Sequence, residues 1–449
     1  MRTTRHRLVV VGGDAAGMSA AAQARRLQPA EELDVVVLEQ GSDVSYSACG
    51  IPYWVGGLVA GREDLVVRTP AEFAAAGITV HTGTGAERID LADGSVTVAD
   101  GRRFGYDSLV VATGGRPVRP PVPGLDAGGV FGVHRLDDGA AVRAAIAAGA
   151  RRAVVLGGGY VGLEMAEALQ RRGLEVTVVF ADPLPVQLLD ADMGERVCAA
   201  MTRMGFDVHP DQAVREVLVD RAGRARGVRT DAGEHDADLV VLGLGTGPEA
   251  GLAAGAGLAL GSTGAIDVDR SQRCRDHPEV LAAGDCAQTF SRITGEAAHV
   301  PLGTHANAQG RVAGSVAAGR PARFPGVLGT ALTRVGALEI ARTGLCTTQA
   351  EAAGFAFRAD TIEATTQAGY LPGAEDVAVK LVTEEGTGRL LGAQVVGGPG
   401  AGKRIDVLAT AIWAGMTADG LAGADLSYAP PFGPTHDPVA VAARVAAHS

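Results

Sequence analysis

Two strand–glycine–helix units, which begin near residues 8 and 153, constrain the fold of this chain more than any other feature. In each unit an apolar run typical of a buried strand leads into a Gly-rich turn and then into a helix of small residues. Small residues in such a turn let the backbone approach a pyrophosphate, and the helix N-terminus offers unpaired N–H groups. The sequence therefore predicts an α/β protein with two Rossmann-like nucleotide-binding domains.

The first unit has its Gly-rich turn at residues 12–17 and a helix that runs to about Leu27. The strand that follows, residues 34–39, ends in Glu39, the acid expected to accept hydrogen bonds from a ribose. Asp14 stands where the middle glycine of the Gly-x-Gly-x-x-Gly pattern usually lies. This departure makes the first fingerprint imperfect.

The second unit matches Gly-x-Gly-x-x-Gly in full at residues 157–162. Its following strand, residues 175–180, ends in Phe180 and Ala181 rather than in an acid or an arginine. Those two residue types usually separate a free ribose from a 2′-phosphate. The choice between NADH and NADPH therefore stays open.

Two shorter patterns complete the predicted cofactor site. Residues 109–115 read as a buried strand that ends in small residues, and residues 279–285 read as another that ends in Asp285. Each pattern alone is typical of an ordinary turn. Four strand–turn elements in this order favour two separate nucleotide sites.

Cys49 lies in the segment 45–54, shortly after the first unit, and the residue five positions later is Trp54 rather than a second cysteine. An internal disulfide within this segment is therefore ruled out. Cys49 is predicted to cycle by pairing with an external thiol or by forming a sulfenic acid, which requires a depressed thiol pKa because the thiolate is the nucleophile.

Composition excludes several other classes of function. The net charge of −11, without basic clusters, argues against a nucleic acid or an anionic membrane as partner. The five cysteines have no metal-ligand spacing, so no metal is predicted and a reducing compartment is expected. An N-terminal arginine-containing run resembles a secretory signal, but Asp14 interrupts it, and we predict a cytoplasmic protein.

These motifs together resemble the pyridine nucleotide–disulfide oxidoreductases, in the single-cysteine branch with coenzyme A-disulfide reductases, NADH oxidases and peroxidases. The resemblance implies a split FAD domain, an NAD(P)H domain and a C-terminal α+β dimerisation domain that makes a homodimer. The implied boundaries are 1–119 and 246–324 for FAD, 120–245 for NAD(P)H and 325–449 for dimerisation.

The resemblance also assigns cofactor residues. FAD would contact Gly12, Gly17, Glu39, Thr113, Gly114 and Asp285, the last at the ribityl chain. NADH or NADPH would lie on Gly157, Gly159 and Gly162, with Tyr160 as a lid over the flavin and Glu164 near the nicotinamide.

The C-terminal third looks like coenzyme A-disulfide reductases in segments 370–373, 403–407 and 427–432. In that family two tyrosines of the partner subunit reach the active-site sulfur, and the resemblance gives this role to Tyr370 and Tyr428. A helical stripe that includes Ile405 and Ile412 is predicted to face the dimer partner.

Other positions indicate the substrate class. Ala15 replaces the histidine of the peroxidase members, which disfavours hydrogen peroxide reduction, and Ala48 replaces an asparagine common before the cysteine. Residues predicted to contact the substrate are Ser19, Gln23, Arg26, Ser45, Asn307, Arg311 and His436.

We therefore predict an FAD-dependent NAD(P)H oxidoreductase that reduces a small disulfide or persulfide through Cys49, with coenzyme A disulfide as the best guess. The first alternative is a water-forming NADH oxidase that cycles Cys49 through a sulfenic acid. The second is a nucleotide-sensing flavoprotein whose redox state controls a protein partner.

Overall fold

The computed structural model describes residues 5–186 and 188–448. The elements before residue 120 are β1 (His6–Val11), α1 (Ala15–Leu27), β2 (Leu33–Leu38), α2 (Ile51–Val55), α3 (Pro70–Ala75), β3 (Ile78–His81), β4 (Ala86–Asp90), β5 (Ser95–Val98), β6 (Arg103–Gly105), β7 (Ser108–Val111) and β8 (Gly115–Pro117). Those between residues 120 and 245 are β9 (Val130–Gly132), α4 (Leu136–Ala147), β10 (Arg152–Leu156), α5 (Tyr160–Arg171), β11 (Glu175–Val179), α6 (Ala191–Arg203), β12 (Asp207–His209), β13 (Val214–Val219), β14 (Ala225–Thr230), β15 (Glu234–Asp236) and β16 (Leu239–Leu242).

The later elements fall into two groups. The first group is β17 (Thr246–Pro248), α7 (Gly251–Gly255), β18 (Arg273–Cys274), β19 (His277–Ala282), β20 (Thr289–Phe290), β21 (Ala297–Ala298) and α8 (Gly303–Ala317). The second is β22 (Ala331–Val335), β23 (Leu338–Gly344), α9 (Thr347–Ala352), β24 (Phe357–Thr365), β25 (Asp376–Glu384), β26 (Leu390–Gly397), α10 (Ile405–Trp413), α11 (Ala418–Ala422) and α12 (Pro438–His448).

The first Rossmann-type sheet has the order β18-β19-β7-β1-β2-β3 and is parallel except for β18. Strand β1 is apolar throughout its second half because both sheet faces are covered. Leu8 and Val10 pack with α1 and α8 on one face, whereas Val9 and Val11 pack under the small sheet β4–β6 on the other. Strand β19 joins this sheet from beyond the second sheet, so the first sheet is built from two stretches of the chain.

The second Rossmann-type sheet has the order β12-β11-β10-β16-β9 and is wholly parallel. Strand β10 lies in the middle of it. Val155 packs on the helical side, and Val154 packs against the antiparallel sheet β13–β15. The predicted α/β class with two Rossmann-like units is confirmed.

The C-terminal domain is a five-stranded antiparallel sheet, β22-β23-β26-β25-β24, with α10, α11 and α12 packed on it. The stripe predicted to face a dimer partner lies elsewhere. Ile405, Leu408 and Ile412 are buried in the protomer's own core, together with Val379 and Val395 of the sheet. That part of the prediction is wrong, because an apolar helical stripe fits an intramolecular sheet face as well as a partner.

Among the described residues, none of the helices combines the length and the apolar character needed to cross a bilayer.

Helices α1 and α8 cross at close range over the first sheet. A Cβ atom on Gly310 would lie 2.2 Å from the carbonyl oxygen of Ala16, and one on Gly314 would lie 2.2 Å from that of Ala20. Only glycine permits this backbone contact. The two glycines thereby set the distance between the helices that carry several predicted substrate residues.

We expect Gly314→Ala to lower the free energy of unfolding by about 1–3 kcal/mol, because the added methyl group must push the two helices apart. The measurement is urea unfolding followed by circular dichroism. Gly255→Ala is the matched control, since a Cβ there meets nothing within 4 Å, and its unfolding midpoint should be unchanged or slightly higher. Equal midpoints for Gly314→Ala and the wild type would contradict the packing argument.

Candidate active site

The two Gly-rich turns have the same backbone geometry. Gly12 and Gly157 both have φ of +106°, and a Cβ atom on either would lie 2.0 and 2.3 Å, respectively, from the carbonyl oxygens of Ala112 and Gly243. Gly17 lies against the carbonyl of Gly12 as Gly162 lies against that of Gly157. Each turn therefore brings a helix N-terminus close to the end of its first strand, as an approach to a pyrophosphate requires.

Glu39, just after β2, has its carboxylate fixed by backbone donors. Its two oxygens accept hydrogen bonds from the N–H of Gly13 at 2.7 Å and of Gly41 at 2.6 Å. Each oxygen keeps a second lone pair, which is what hydrogen bonds from a ribose would need. The structure thus places Glu39 beside the first Gly-rich turn.

Asp285 follows β19 at the same edge of the sheet as Gly114, which follows β7. Burial raises the pKa of Asp285, and His134, His299 and His305 act against that shift. Gly114 has φ of +73°, and a Cβ atom on it would meet nothing within 4 Å, so its backbone faces open space. Thr113 is also expected to contact FAD. Its hydroxyl, however, already donates to the carbonyl of Glu249 at 2.5 Å.

Cys49 lies in a short 3-10 turn, Ala48–Gly50, that leads into α2. The turn is tied to the core through Leu65. The N–H of Ser47 donates to the Leu65 carbonyl, and a Cβ atom on Gly50 would lie 2.3 Å from the Leu65 side chain. Ser45, with φ of +50°, donates its N–H to the carbonyl of Gly13. These contacts place the Cys49 turn directly beside the first Gly-rich turn.

The electrostatic surroundings of Cys49 are acidic. Its thiol is exposed on one side, but crowding by protein atoms raises the thiol pKa, and the carboxylates of Glu164, Asp14 and Asp285 raise it further. The sequence predicts a depressed pKa. The groups of the protomer shift the thiol pKa upward instead, so the predicted depressed pKa is not produced by the surrounding side chains of the same protomer.

Glu164 and Tyr160 come from the first turns of α5. The hydroxyl of Thr333 in β22 donates to Glu164 at 2.8 Å, and burial raises the Glu164 pKa. Burial also raises the pKa of Tyr160 to about 12, and its buried hydroxyl has no hydrogen-bond partner among the described residues. Phe180 is buried in the core, so its side chain does not discriminate between ribose and a 2′-phosphate.

Tyr370 and Tyr428 lie together although they are far apart in the sequence. Their side chains are 74% and 50% exposed, and the pKa of Tyr370 is raised by lost hydration and by its contacts with Tyr428, including a hydrogen bond. The groups that act on the thiol of the same protomer's Cys49 are carboxylates, not these phenols. This arrangement is what a pair of tyrosines presented to another subunit requires.

Arg404 holds the two tyrosine segments together. Its guanidinium donates to the carbonyls of Thr366 and Phe432, both at 2.9 Å, and lies 3.6 Å from the carboxylate of Asp437. Arg404 is buried, which makes these bonds difficult to replace by water. The motif at residues 403–407 assigns no role to this arginine, and no spacing in the sequence reveals the clamp.

The predicted substrate residues form a polar line along the seam between α1 and α8. The Ser19 hydroxyl donates to the side-chain oxygen of Asn307 at 2.6 Å. The Gln23 amide donates to the Ser315 hydroxyl and accepts a hydrogen bond from Arg26. Arg311 is exposed on α8, one turn after Asn307. His436 is exposed in the loop before α12 and lies apart from this seam in the sequence, next to the Arg404 partner Asp437.

Comparison with known proteins decides the family. Residues 6–310 match the family described as "Pyridine nucleotide-disulphide oxidoreductase", and residues 330–438 match its dimerisation domain. The chain belongs to the pyridine nucleotide-disulphide oxidoreductase family. Its members use FAD and NAD(P)H, and the matched dimerisation domain supports the predicted homodimer.

Several members of this family are similar to this chain over most of their length. The chain is 38% identical over 455 residues to "NAD(P)H sulfur oxidoreductase (CoA-dependent)" of Pyrococcus abyssi, covering 98% of this chain and 97% of that protein. It is 34% identical to "NADH oxidase" of Methanocaldococcus jannaschii, with 98% of each covered. A solved structure of an NAD-dependent persulfide reductase from A. fulgidus has a TM-score of 0.94 at 38% identity, over 98% of this chain and 83% of that one.

The residues present fit the two cofactors of the family, with one exception. The glycine contacts at Gly12 and Gly157 leave helix N-termini free for pyrophosphates, and Gly159 leaves its turn open because a Cβ there would meet only one atom, at 3.6 Å. The exception is Asp14, which places a carboxyl group where the second unit has Gly159. The domain boundaries and the individual site residues stay predictions.

We expect Glu164→Gln to lower the apparent pKa of Cys49 by up to about one pH unit, because it removes a nearby negative charge. Alkylation of the holoenzyme by iodoacetamide depends on the thiolate, so its rise with pH should move to lower pH. Glu175→Gln, an exposed carboxylate at the start of β11, should leave the profile unchanged. An unchanged profile in Glu164→Gln, or an equal shift in the control, would contradict the assignment of Glu164.

Proposed function

We propose that this oxidoreductase reduces a small-molecule disulfide or persulfide, with coenzyme A disulfide as the leading candidate, at a single redox-active Cys49. The observation that carries the proposal is the exposure of Cys49 beside the first Gly-rich turn, as a free thiol. Cys274, Cys286 and Cys346 are buried, so none of them is placed to exchange with a dissolved substrate. The "CoA-dependent" relative supports the substrate class.

The cofactors in this scheme lie on the two Gly-rich units. FAD is assigned to the first unit, with Glu39 at a ribose and Asp285 at the ribityl chain, and NAD(P)H to the second unit, with Tyr160 and Glu164 near the nicotinamide. When bound, the flavin passes the two electrons of the nicotinamide hydride to sulfur. The residues of the chain hold the two cofactors and keep the thiol in reach.

The thiol steps are then as follows. The Cys49 thiolate attacks one sulfur of the substrate disulfide, a Cys49–substrate bond forms, the substrate S–S bond breaks, and the departing thiolate takes a proton. Two electrons from NAD(P)H cleave the mixed disulfide, releasing the second substrate thiol after protonation and restoring Cys49. One NAD(P)H and one proton are consumed for each disulfide reduced to two thiols.

The proton for the leaving thiolate is assigned to Tyr428 of the partner subunit, with Tyr370 beside it. Their exposure and mutual contact support this assignment, since a phenol presented outward can enter another protomer's site. The polar line from Ser19 to Arg26 and Asn307 is assigned to the substrate, with Arg311 and His436 as candidates for its phosphates. Ser45 is assigned there because it lies in the Cys49 segment.

A water-forming NADH oxidase is the second candidate. The similarity to the M. jannaschii protein named "NADH oxidase" favours it, and the exposed single thiol also suits a sulfenic acid cycle. The persulfide- and sulfur-reducing relatives are more similar in sequence, which favours disulfide chemistry. Oxygen consumption without an added disulfide separates the two functions.

We expect Cys49→Ser to keep reduction of FAD by NAD(P)H and to lose disulfide reduction by a factor of at least about 10³, because hydride transfer does not need the thiol. Stopped-flow absorbance at the flavin band measures the first step, and steady-state assays with coenzyme A disulfide, persulfides and oxygen measure the second. Cys198→Ser is the control and should behave as the wild type. Wild-type turnover by Cys49→Ser would overturn the single-cysteine mechanism.

We expect Arg404→Met to lower disulfide reduction about tenfold or more while FAD reduction by NAD(P)H stays normal, because the tyrosine pair loses its fixed position. Lys403→Met is the matched control, since the neighbouring lysine is exposed and pairs with Asp406 on the surface. Retention of the dimer is checked by analytical ultracentrifugation. An equal loss in both variants would show that the effect is not specific to the clamp.

A further inference from the structure

Asp14 is the residue that breaks the likeness between the two Gly-rich turns. It stands between β1 and α1, where Gly159 stands between β10 and α5. An aspartate directly before a helix usually accepts hydrogen bonds from the first-turn amides. The Asp14 side chain makes no such cap, so the amides of Ala16 and Gly17 are left for a ligand.

The carboxyl group of Asp14 turns toward the Cys49 segment instead. One oxygen accepts a hydrogen bond from the N–H of Tyr46, at a long 3.3 Å, and the N–H of Ala15 lies close to the carboxyl. Burial raises the Asp14 pKa to about 7, against the opposing effect of these backbone donors. A carboxyl group with so few donors has little to hold it in the charged form.

The titratable groups around Asp14 come from three other parts of the chain. Glu39 after β2 and Asp285 after β19 both raise its pKa, and Asp14 in turn raises the pKa values of Tyr46 and Cys49. His134, His299 and His305 act on Asp285, and burial lowers the pKa values of His134 and His305. The cation Arg135 acts on the neighbouring Tyr46, whereas the main contributions to the Asp14 pKa come from burial, the two backbone donors and the carboxylates of Glu39 and Asp285.

We propose that Asp14 is protonated in the FAD complex and donates a hydrogen bond to the pyrophosphate, so that release of FAD is coupled to loss of one proton. The proposal rests on the assignment of FAD to the first unit in the proposed function. An ionised Asp14 would lie beside a dianionic pyrophosphate and two further carboxylates, and each of these interactions is repulsive. The neutral carboxyl group removes that repulsion and donates an O–H hydrogen bond to a pyrophosphate oxygen. Asp14 is thus a cofactor-positioning residue.

The sign of the pH dependence follows from linkage. FAD binds the protonated form more tightly, so binding raises the Asp14 pKa above its value of about 7 in the cofactor-free protein. Affinity is then constant below about pH 7 and falls by up to tenfold per pH unit above it. The fall continues until the pH reaches the higher pKa of the complex.

The experiment is dilution of the holoenzyme at pH values from 6 to 9, with released FAD measured by flavin fluorescence at equilibrium. The wild type should show a dissociation constant at least tenfold higher at pH 9 than at pH 6.5. Asp14→Asn keeps a donor that does not titrate, and its dissociation constant should vary less than threefold over the same range. Glu31→Gln, an exposed carboxylate beyond the far end of α1, should keep the full wild-type slope.

A second measurement needs no variant. In weakly buffered solution at pH 8, a pH indicator dye should report release of about one proton for each FAD released from the wild-type protein. A flat wild-type profile without proton release, or the same slope in Asp14→Asn as in the wild type, overturns the proposal. Protein that holds no FAD at any pH would instead contradict the proposed function, so the two failures are distinguishable.

Discussion

Close backbone contact at two glycine pairs is the constraint on which both nucleotide sites depend. Gly17 touches the carbonyl of Gly12, and Gly162 touches that of Gly157, at distances that leave no room for a Cβ atom. This contact sets each helix N-terminus close to its strand. The sheets, with both faces covered, then hold the turns in place. Residues that follow parallel strands of the first sheet, such as Glu39 after β2 and Asp285 after β19, lie at one edge of it.

Carboxyl groups dominate the space between these turns and Cys49. Asp14, Glu39, Glu164 and Asp285 are brought together by strands and helices from both Rossmann-type units. Burial and these carboxyl groups make the thiol a poor acid in its protein surroundings. We therefore expect the thiol of flavin-free protein to react slowly with oxidants.

Most of the fold could be predicted from sequence, because the decisive signals are local. The strands before Gly12 and Gly157 and the helix that ends at Leu27 lie where the hydrophobic pattern puts them. The errors concern partners that a pattern does not identify. The stripe around Ile412 is apolar whether it faces a sheet or a subunit, and the clamp by Arg404 joins carbonyls that carry no sequence signal.

The individual residues of the candidate site could be predicted from the sequence, but the electrostatic effect of these residues on one another could not. Cys49 and Asp285 were found from motifs, and the structure brings their segments together. The direction of the Cys49 pKa was not predictable, because it depends on carboxylates from three distant parts of the chain. Asp14 was visible only as a departure from a pattern, since its effect depends on burial and on the unused helix cap.

Strand β19 lies late in the chain, which affects the order in which the domains fold during synthesis on the ribosome. Strand β7 pairs with β1 on one side and with β19 on the other, and β19 begins at His277, far along the chain from β7, which ends at Val111. The intervening unit, β9 to β16, has its own complete parallel sheet and can fold as soon as it emerges. The first sheet must wait with one flank unpaired, so the inserted domain is expected to fold before the domain that encloses it.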